Sequence, residues 1–502
     1  MVHFSKSLLF VTAVALATPA FASNDRVLHL SNNASLTTID PHSTNNLDDF
    51  MIHRQIFEGL VHQNELTGEI VPRIATSYTV SPDGKKYTFT IRPGIKFHNG
   101  ETLTVKDCVF SVKRALSKPQ MKTRLVGVDD VYSPDENTVV ITMSKPNAAL
   151  ITNLVDIRIL NQKEVEAQGD KFGTILTLAG TGPYYLTSLQ HDVEWTCNAF
   201  PEYYLGEAPI KKIHYRPIKQ QASGLIAFES GELDWFVAPV ANWDDLKDNK
   251  DYNTELVVAN NICYFVINPL RAPLNNENLR KAIAYAIDKE AMNDVCFDGL
   301  AKVADFMIPP QNIGAPTEGI TYNYDPEKAK EYLVKAGYPN GVDIGSVTCN
   351  PSGYFEKMAQ VLQENLAAVG IKISINRLDP ATKLNNGRKQ LFDVMTAGLA
   401  HRGDFDGWRN HSYTLAKGSY YVKYDETPYD WKHMNSLWEK GAAATTPEER
   451  KVIYRELNDW IMNAATTLPV FYRVQPTVWT KDLVIPHNYP NYPVIYEWSW
   501  KK

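Results

Sequence analysis

Fifteen residues, Ala397 to His411, crowd together chemistry that is scattered elsewhere in the chain. They hold His401, Arg402, Arg409 and His411, the carboxylates Asp404 and Asp406, and the rings of Phe405 and Trp408. Guanidinium forks match carboxylates and phosphates, and carboxylates hold ammonium groups. Phe405 and Trp408 cost about 1.5–3 kcal/mol each if left in water when burial is available. The mixture suits recognition of a small charged ligand. The motifs of bond-making chemistry are absent from the sequence: no H-E-x-x-H, no G-x-S-x-G and no G-x-x-x-x-G-K-[ST]. Gly180-Thr181-Gly182-Pro183-Tyr184 starts like a nucleotide loop, but Pro183 and the missing third glycine leave a tight turn. His401 and His411 stand ten apart with no third ligand at metal spacing.

The stretch must be positioned by what precedes it. Phe392 to Thr396 is a short apolar run of strand type, after a helical pattern over Phe355–Val369 with Met358, Val361, Leu362, Leu366 and Val369 inward. Gly370 stops that helix, and Ile371 to Ile375 alternates as a strand. Asp325-Pro326 opens another helix that Gly337 closes, and Thr446-Pro447-Glu448-Glu449 opens one running through Trp460. Helix and strand in alternation predict an α/β lobe with a largely parallel sheet, whose ligands sit outside the carboxyl ends of the strands. The earlier part reads as a small α+β unit. Tyr87–Ile91 and Thr138–Met143 are short strands, the first after the turn Ser81-Pro82-Asp83-Gly84, and Val105–Leu116 has helical spacing.

With 502 residues there is room for about three domains. Hydrophobic residues make up 44% and charged residues 22%, which excludes a disordered chain. A net charge of -6 argues against broad nucleic-acid binding, which needs a basic face. The first 22 residues read as a secretory leader: Lys6, an apolar run Leu8–Ala17, then Ala20-Phe21-Ala22 as cleavage site. Cysteines Cys108, Cys197, Cys263, Cys296 and Cys349 are odd in number and widely spaced, so at most two bridges are allowed.

These segments, in order, resemble the family 5 extracellular solute-binding proteins of ABC importers, which include oligopeptide-, dipeptide- and nickel-binding proteins. The resemblance rests on Ile39-Asp40-Pro41-His42, Phe57-Glu58-Gly59-Leu60, Ser81-Pro82-Asp83-Gly84-Lys85, Ile91-Arg92-Pro93-Gly94-Ile95-Lys96-Phe97 and Asn99-Gly100-Glu101. Further along it continues through Gly180–Tyr184, Phe228–Asp234, Leu279–Lys289 and Tyr324–Ala329. It implies a type II, cluster C periplasmic binding protein-like fold: two α/β lobes joined by a hinge, plus an extra α+β domain. Domain I would comprise 23–57, 181–265 and 473–502, domain II 58–180 and domain III 266–472, with crossing strands near Asn268 and Tyr472. The implied function is capture of a peptide or related small solute by lobe closure in the periplasm, without turnover, and delivery to an inner-membrane ABC permease. No cofactor is expected, and the protein is expected to be a monomer. A nickel, metal-chelate or anionic non-peptide ligand is the alternative.

The resemblance also implies where ligand is met, and here the chain departs from the family. Direct counting from Ala397-Gly398 puts Arg402 where peptide binders hold the ligand ammonium with an aspartate; a one-residue gap aligns Asp404 and Asp406 instead. Arg388 aligns with a ligand-facing arginine, and Asn45 falls where another acid is expected. The ligand-facing set is therefore Asn45, Arg388, His401, Arg402, Asp404, Asp406 and Trp408, with Arg158 as a further cation that reaches the cleft from domain II.

Overall fold

A computed structural model describes residues 26–502 apart from 33–35, 45–48, 65–66, 123, 311, 352, 401–403, 414–421, 445 and 490–492, and apart from the side chains of 400, 410 and 411. The expected leader lies outside the described residues. Helix ends follow their sequence signals. Asp325 accepts from Lys328 N at 2.9 Å ahead of the helix Pro326–Lys335, and Thr446 accepts from Glu449 N at 3.2 Å ahead of Pro447–Ala464. Gly337 takes φ +90° just past the first of these helices, a conformation that costs a residue with a side chain more.

Two long antiparallel strands, Tyr252–Ile267 and Thr467–Thr480, run down the middle of an eleven-stranded sheet and join two lobes. On one side Thr467–Thr480 pairs with Trp235–Val237, followed by Val27–Ser31, Lys212–Tyr215, Glu194–Ala199 and Tyr184–Gln190. On the other, Tyr252–Ile267 pairs with Val394–Ala400, followed by Val342–Cys349 and Ile371–Arg377; these last three run parallel. Pairing of the two long strands slips between Val258 and Ile262, opposite Val474 and Tyr472. Such an irregularity bends a strand and loosens its ladder, so the join between lobes is weakest here. Asn268 lies beyond the end of its strand, its amide donating to the Phe392 carbonyl at 3.1 Å, so it anchors lobe 2 and does not mark the slip.

A separate antiparallel sheet takes the order Ala75–Val80, Lys86–Ile91, Thr138–Met143, Val128–Tyr132. With the helix Val105–Ser117 it encloses its own core around Phe89, Phe97, Cys108 and Ile141. The fold is thus mixed α/β, two lobes on one shared sheet with an added α+β unit. Leu160, Val165, Phe172 and Ala179 pack into the lobe 1 core with Leu28, Tyr184 and Trp498, although their stretch of sequence adjoins the α+β unit. All five cysteines are unpaired thiols, four of them buried.

Candidate functional site

The carboxyl ends of Val342–Cys349, Ile371–Arg377 and Val394–Ala400 point the same way, toward the slipped segment of the long strands. Asp379 caps the helix Pro380–Arg388 directly after the second of these strands, accepting from Ala381 N and Thr382 N. One turn in, Lys383 is 2% exposed, and its Nζ donates to Thr396 Oγ1 at 3.1 Å. Burial pushes its ammonium down to about 8, against a weak counter-pull from the Cys349 and Cys263 thiols. No carboxylate among the described residues pairs with it.

Lys383 sits 4.5 Å from the centre of the Phe355 ring. The next ring, Tyr354, lies 4.5 Å from Phe355 and carries the Arg473 guanidinium at 4.9 Å. Arg473 belongs to the long strand Thr467–Thr480, beside Tyr472 and Val474 where the pairing slips. Its Nε is buried without a hydrogen-bond partner among the described residues. The Cys263 thiol, pushed up to about 12 by burial, feels both Arg473 and Lys383. Two cations therefore rest on one aromatic pair at the strand ends of lobe 2, next to the join with lobe 1. Such a cradle attracts an anionic oxygen, and the rings supply apolar surface beside it. Gly398 makes room for it: a Cβ there would meet Phe355 Cζ at 3.0 Å.

The residues expected from sequence are spread differently. Asn45, His401 and Arg402 lie outside the described residues. Arg388 is exposed in the last turn of the helix that buries Lys383; five residues at about 100° each put the two some 140° apart. Asp404 is 4% exposed and faces inward, gripped by Arg450 Nη1 and Nη2 at 2.6 and 2.7 Å. Asp406 accepts from Tyr454 OH at 3.2 Å and pairs with Arg409 at 3.7 Å, and burial pushes its carboxyl up. Trp408 is fully buried, packed with Phe405 and Trp438. The expectation of a ligand-facing Trp408 is corrected by its own hydrophobicity: lobe 2 offers a core, and the ring takes it. Asp404 and Asp406 are drawn inward because Arg450, Arg409 and Tyr454 satisfy them there.

Arg158 does not lie against lobe 2; it lines a cavity between lobe 1 and the α+β unit. Among the described residues no three His, Cys, Asp or Glu side chains come close enough to hold a metal ion. No helix among them is long and apolar enough to cross a membrane. Sequence reasoning missed Lys383 and Arg473. Nothing in the sequence marked Lys383: the apolar residues of its helix are Pro380, Ala381 and Leu384, yet the buried positions are Lys383 and Gly387. Arg473 was a lone cation within the apolar run Leu468–Val474.

The α+β unit also touches lobe 2. Thr152 Oγ1 lies 3.4 Å from Asp404 Oδ2, and Ala148 N donates to the Ala442 carbonyl.

Comparison with known proteins agrees with this fold. The family model for bacterial extracellular solute-binding proteins, family 5 Middle, matches residues 69–419. The glutathione-binding protein GsiB of Salmonella typhi is 27% identical over 483 residues, spanning 93% of this chain and 92% of its own. Among solved structures, the periplasmic binding protein DppA of Helicobacter pylori in complex with the peptide STSA superposes with a TM-score of 0.79 at 22% identity, covering 95% of this chain and 98% of its own. The binding protein AgaA of A. tumefaciens R10 in complex with agropinic acid gives 0.77 at 26% identity, covering 93% and 95%. The chain belongs to the family 5 extracellular solute-binding proteins of ABC importers.

Proposed function

We propose that this protein captures a peptide or a peptide-sized solute bearing a free carboxylate, encloses it by closing the two lobes, and presents it unchanged to an inner-membrane ABC permease. The observation that carries this reading is the pair Lys383 and Arg473, which share the Phe355–Tyr354 ring pair with no carboxylate of the described chain between them. A ligand carboxylate completes that arrangement. Asp404 is spent on Arg450, so a ligand ammonium is not what it serves. Binding partners of relatives fit the same chemistry: glutathione by name for GsiB, a peptide for DppA and agropinic acid for AgaA. The irregular stretch at Val258–Ile262 is where the crossing strands give on closure.

The test is a thermal-shift and calorimetric screen of purified protein with glutathione, di- and tripeptides, and sugar–amino acid conjugates. A binding ligand raises the melting temperature, and its carboxamide analogue does not. Bound ligand is recovered chemically intact. If amides bind as well as acids, the carboxylate reading fails.

A further inference from the structure

A cavity lies between lobe 1 and the α+β unit, and none of its lining residues comes from lobe 2. Measured as space open to the centre of a water molecule, it holds about 40 Å3, several times the roughly 10–15 Å3 that one water requires. Its polar walls include Arg54, Glu58, His62, Arg73, Arg158 and Tyr203. That is room for an occupant of a few heavy atoms, not for a peptide.

Of the wall cations, Arg158 has no ion-pair partner among the described residues. Glu58 is already fully engaged: Tyr203 OH donates to it at 2.7 Å, Tyr204 OH at 3.1 Å and Thr181 Oγ1 at 3.4 Å, and Arg73 pairs with it at 3.3 Å. Asp156, behind the cavity, pairs with Arg124 at 3.4 Å. Arg158 is 5% exposed, yet its guanidinium makes only a 3.5 Å contact from Nη1 to the Phe57 carbonyl, and its Nε is buried without a partner among the described residues. No ion pair reaches it among the described residues. Its backbone is tied in place by a bridge to Gly59 and by His42, whose Nε2 donates to the Arg158 carbonyl at 2.9 Å. Burial, only partly countered by Asp156, pushes the guanidinium down to about 10, which leaves it charged at neutral pH. His62 on the same wall is held neutral by burial and by Arg73, and a neutral imidazole keeps an N–H to donate. A buried cation with unused donors beside a cavity of this size is an incomplete ion pair.

We propose that this cavity binds a small oxyanion, a phosphate, sulfate or free carboxylate, on Arg158, and so fastens the α+β unit to lobe 1. The site is separate from the cradle of Lys383 and Arg473 and does not depend on what that cradle holds.

The experiment uses the purified protein in a chloride buffer, titrated with inorganic phosphate, sulfate or acetate. At least one of them raises the melting temperature, by about 2 °C at saturation. Arg158→Met weakens its binding tenfold or more, and Arg158→Lys weakens it less. Crystals of the unaltered protein soaked in selenate give an anomalous peak within hydrogen-bond distance of the Arg158 guanidinium. No shift with any of the three anions and no peak at Arg158 overturns the proposal. So does an Arg158→Met protein that binds the anion as tightly as the parent. If Arg158→Met does not fold, the selenate crystal decides.

Discussion

Asp404 and Arg450 form a two-pronged ion pair, 2.6 and 2.7 Å long, with both side chains 5% exposed. Arg450 also donates to Tyr454 OH at 3.2 Å, and Thr152 of the α+β unit reaches Asp404 Oδ2 at 3.4 Å. Burial lowers the Arg450 pKa, but the Asp404 charge outweighs it and the guanidinium titrates above its ordinary value. Removing one partner strands the other. Asp404→Asn or Arg450→Met is expected to cost about 3–5 kcal/mol in urea denaturation, while Asp404→Leu combined with Arg450→Met costs less than either single change. A double variant as damaged as the sum of the singles contradicts this.

Lys383 makes ligand affinity pH-dependent. Its ammonium titrates at about 8, so an acidic ligand meets a cation at pH 7 and a largely neutral amine at pH 9.5. Affinity for the carboxylate ligand therefore falls over that interval, and Lys383→Met binds weakly with a flat profile, both read by calorimetry. The contribution of Lys383 to stability without ligand moves the opposite way. The unfolded lysine keeps its proton to about 10.4, so between pH 8 and 10.4 this group binds more protons in the unfolded chain and its contribution rises with pH, read as the stability of the parent minus that of Lys383→Met. A difference that falls across that window counts against a buried Lys383.

Gly398→Ala places a methyl 3.0 Å from Phe355 Cζ and 3.5 Å from the Ile262 carbonyl. The ring must shift, and with it the surface under Lys383. The expected cost is about 1–3 kcal/mol of stability together with weaker ligand binding. Unchanged affinity in a folded Gly398→Ala protein shows that the Phe355 ring is not part of the cradle.

Acid weakens lobe 1 and its junction with the α+β unit before it titrates most carboxylates. Burial holds His42 down to about 3 and His98 to about 4. His42 donates from Nε2 to the Arg158 carbonyl and accepts at Nδ1 from Arg114, while His98 donates to the Gly182 carbonyl. Unfolded histidine binds its proton near pH 6.5, so stability falls as pH drops from about 6.5 toward 4, by about 1.4 kcal/mol per pH unit for each group. Asp40 adds a second loss lower down. Burial pushes its carboxyl up, but the two Arg114 hydrogen bonds and charge hold it at about 2, so its contribution disappears between about pH 4 and 2. Denaturation curves at unit pH intervals check both; a flat profile from pH 6.5 to 4 removes the buried histidines from the account.

Local order was legible in the chain because local forces make it. Asp325, Gly337 and Thr446 act on backbone groups within a few residues, and they mark helix ends in the structure as they do in the sequence. Thr138–Met143 is a strand over the residues whose β-branched run announces it. The order of short motifs gave the family, since each marks a turn or cap of the same fold. The site was not legible to the same degree. Asp404, Asp406 and Trp408 look like ligand groups in a linear reading, but the partners that claim them, Arg450, Tyr454 and Trp438, lie 30 to 48 residues along the chain. Lys383 and Arg473 meet over Tyr354 and Phe355 only because three parallel strands end at one edge beside the crossing pair. A side chain's type states what it can bind. Whether it binds a ligand or its own chain depends on which groups the tertiary fold brings within about 3 Å, because hydrogen bonds and close ion pairs act only at that range.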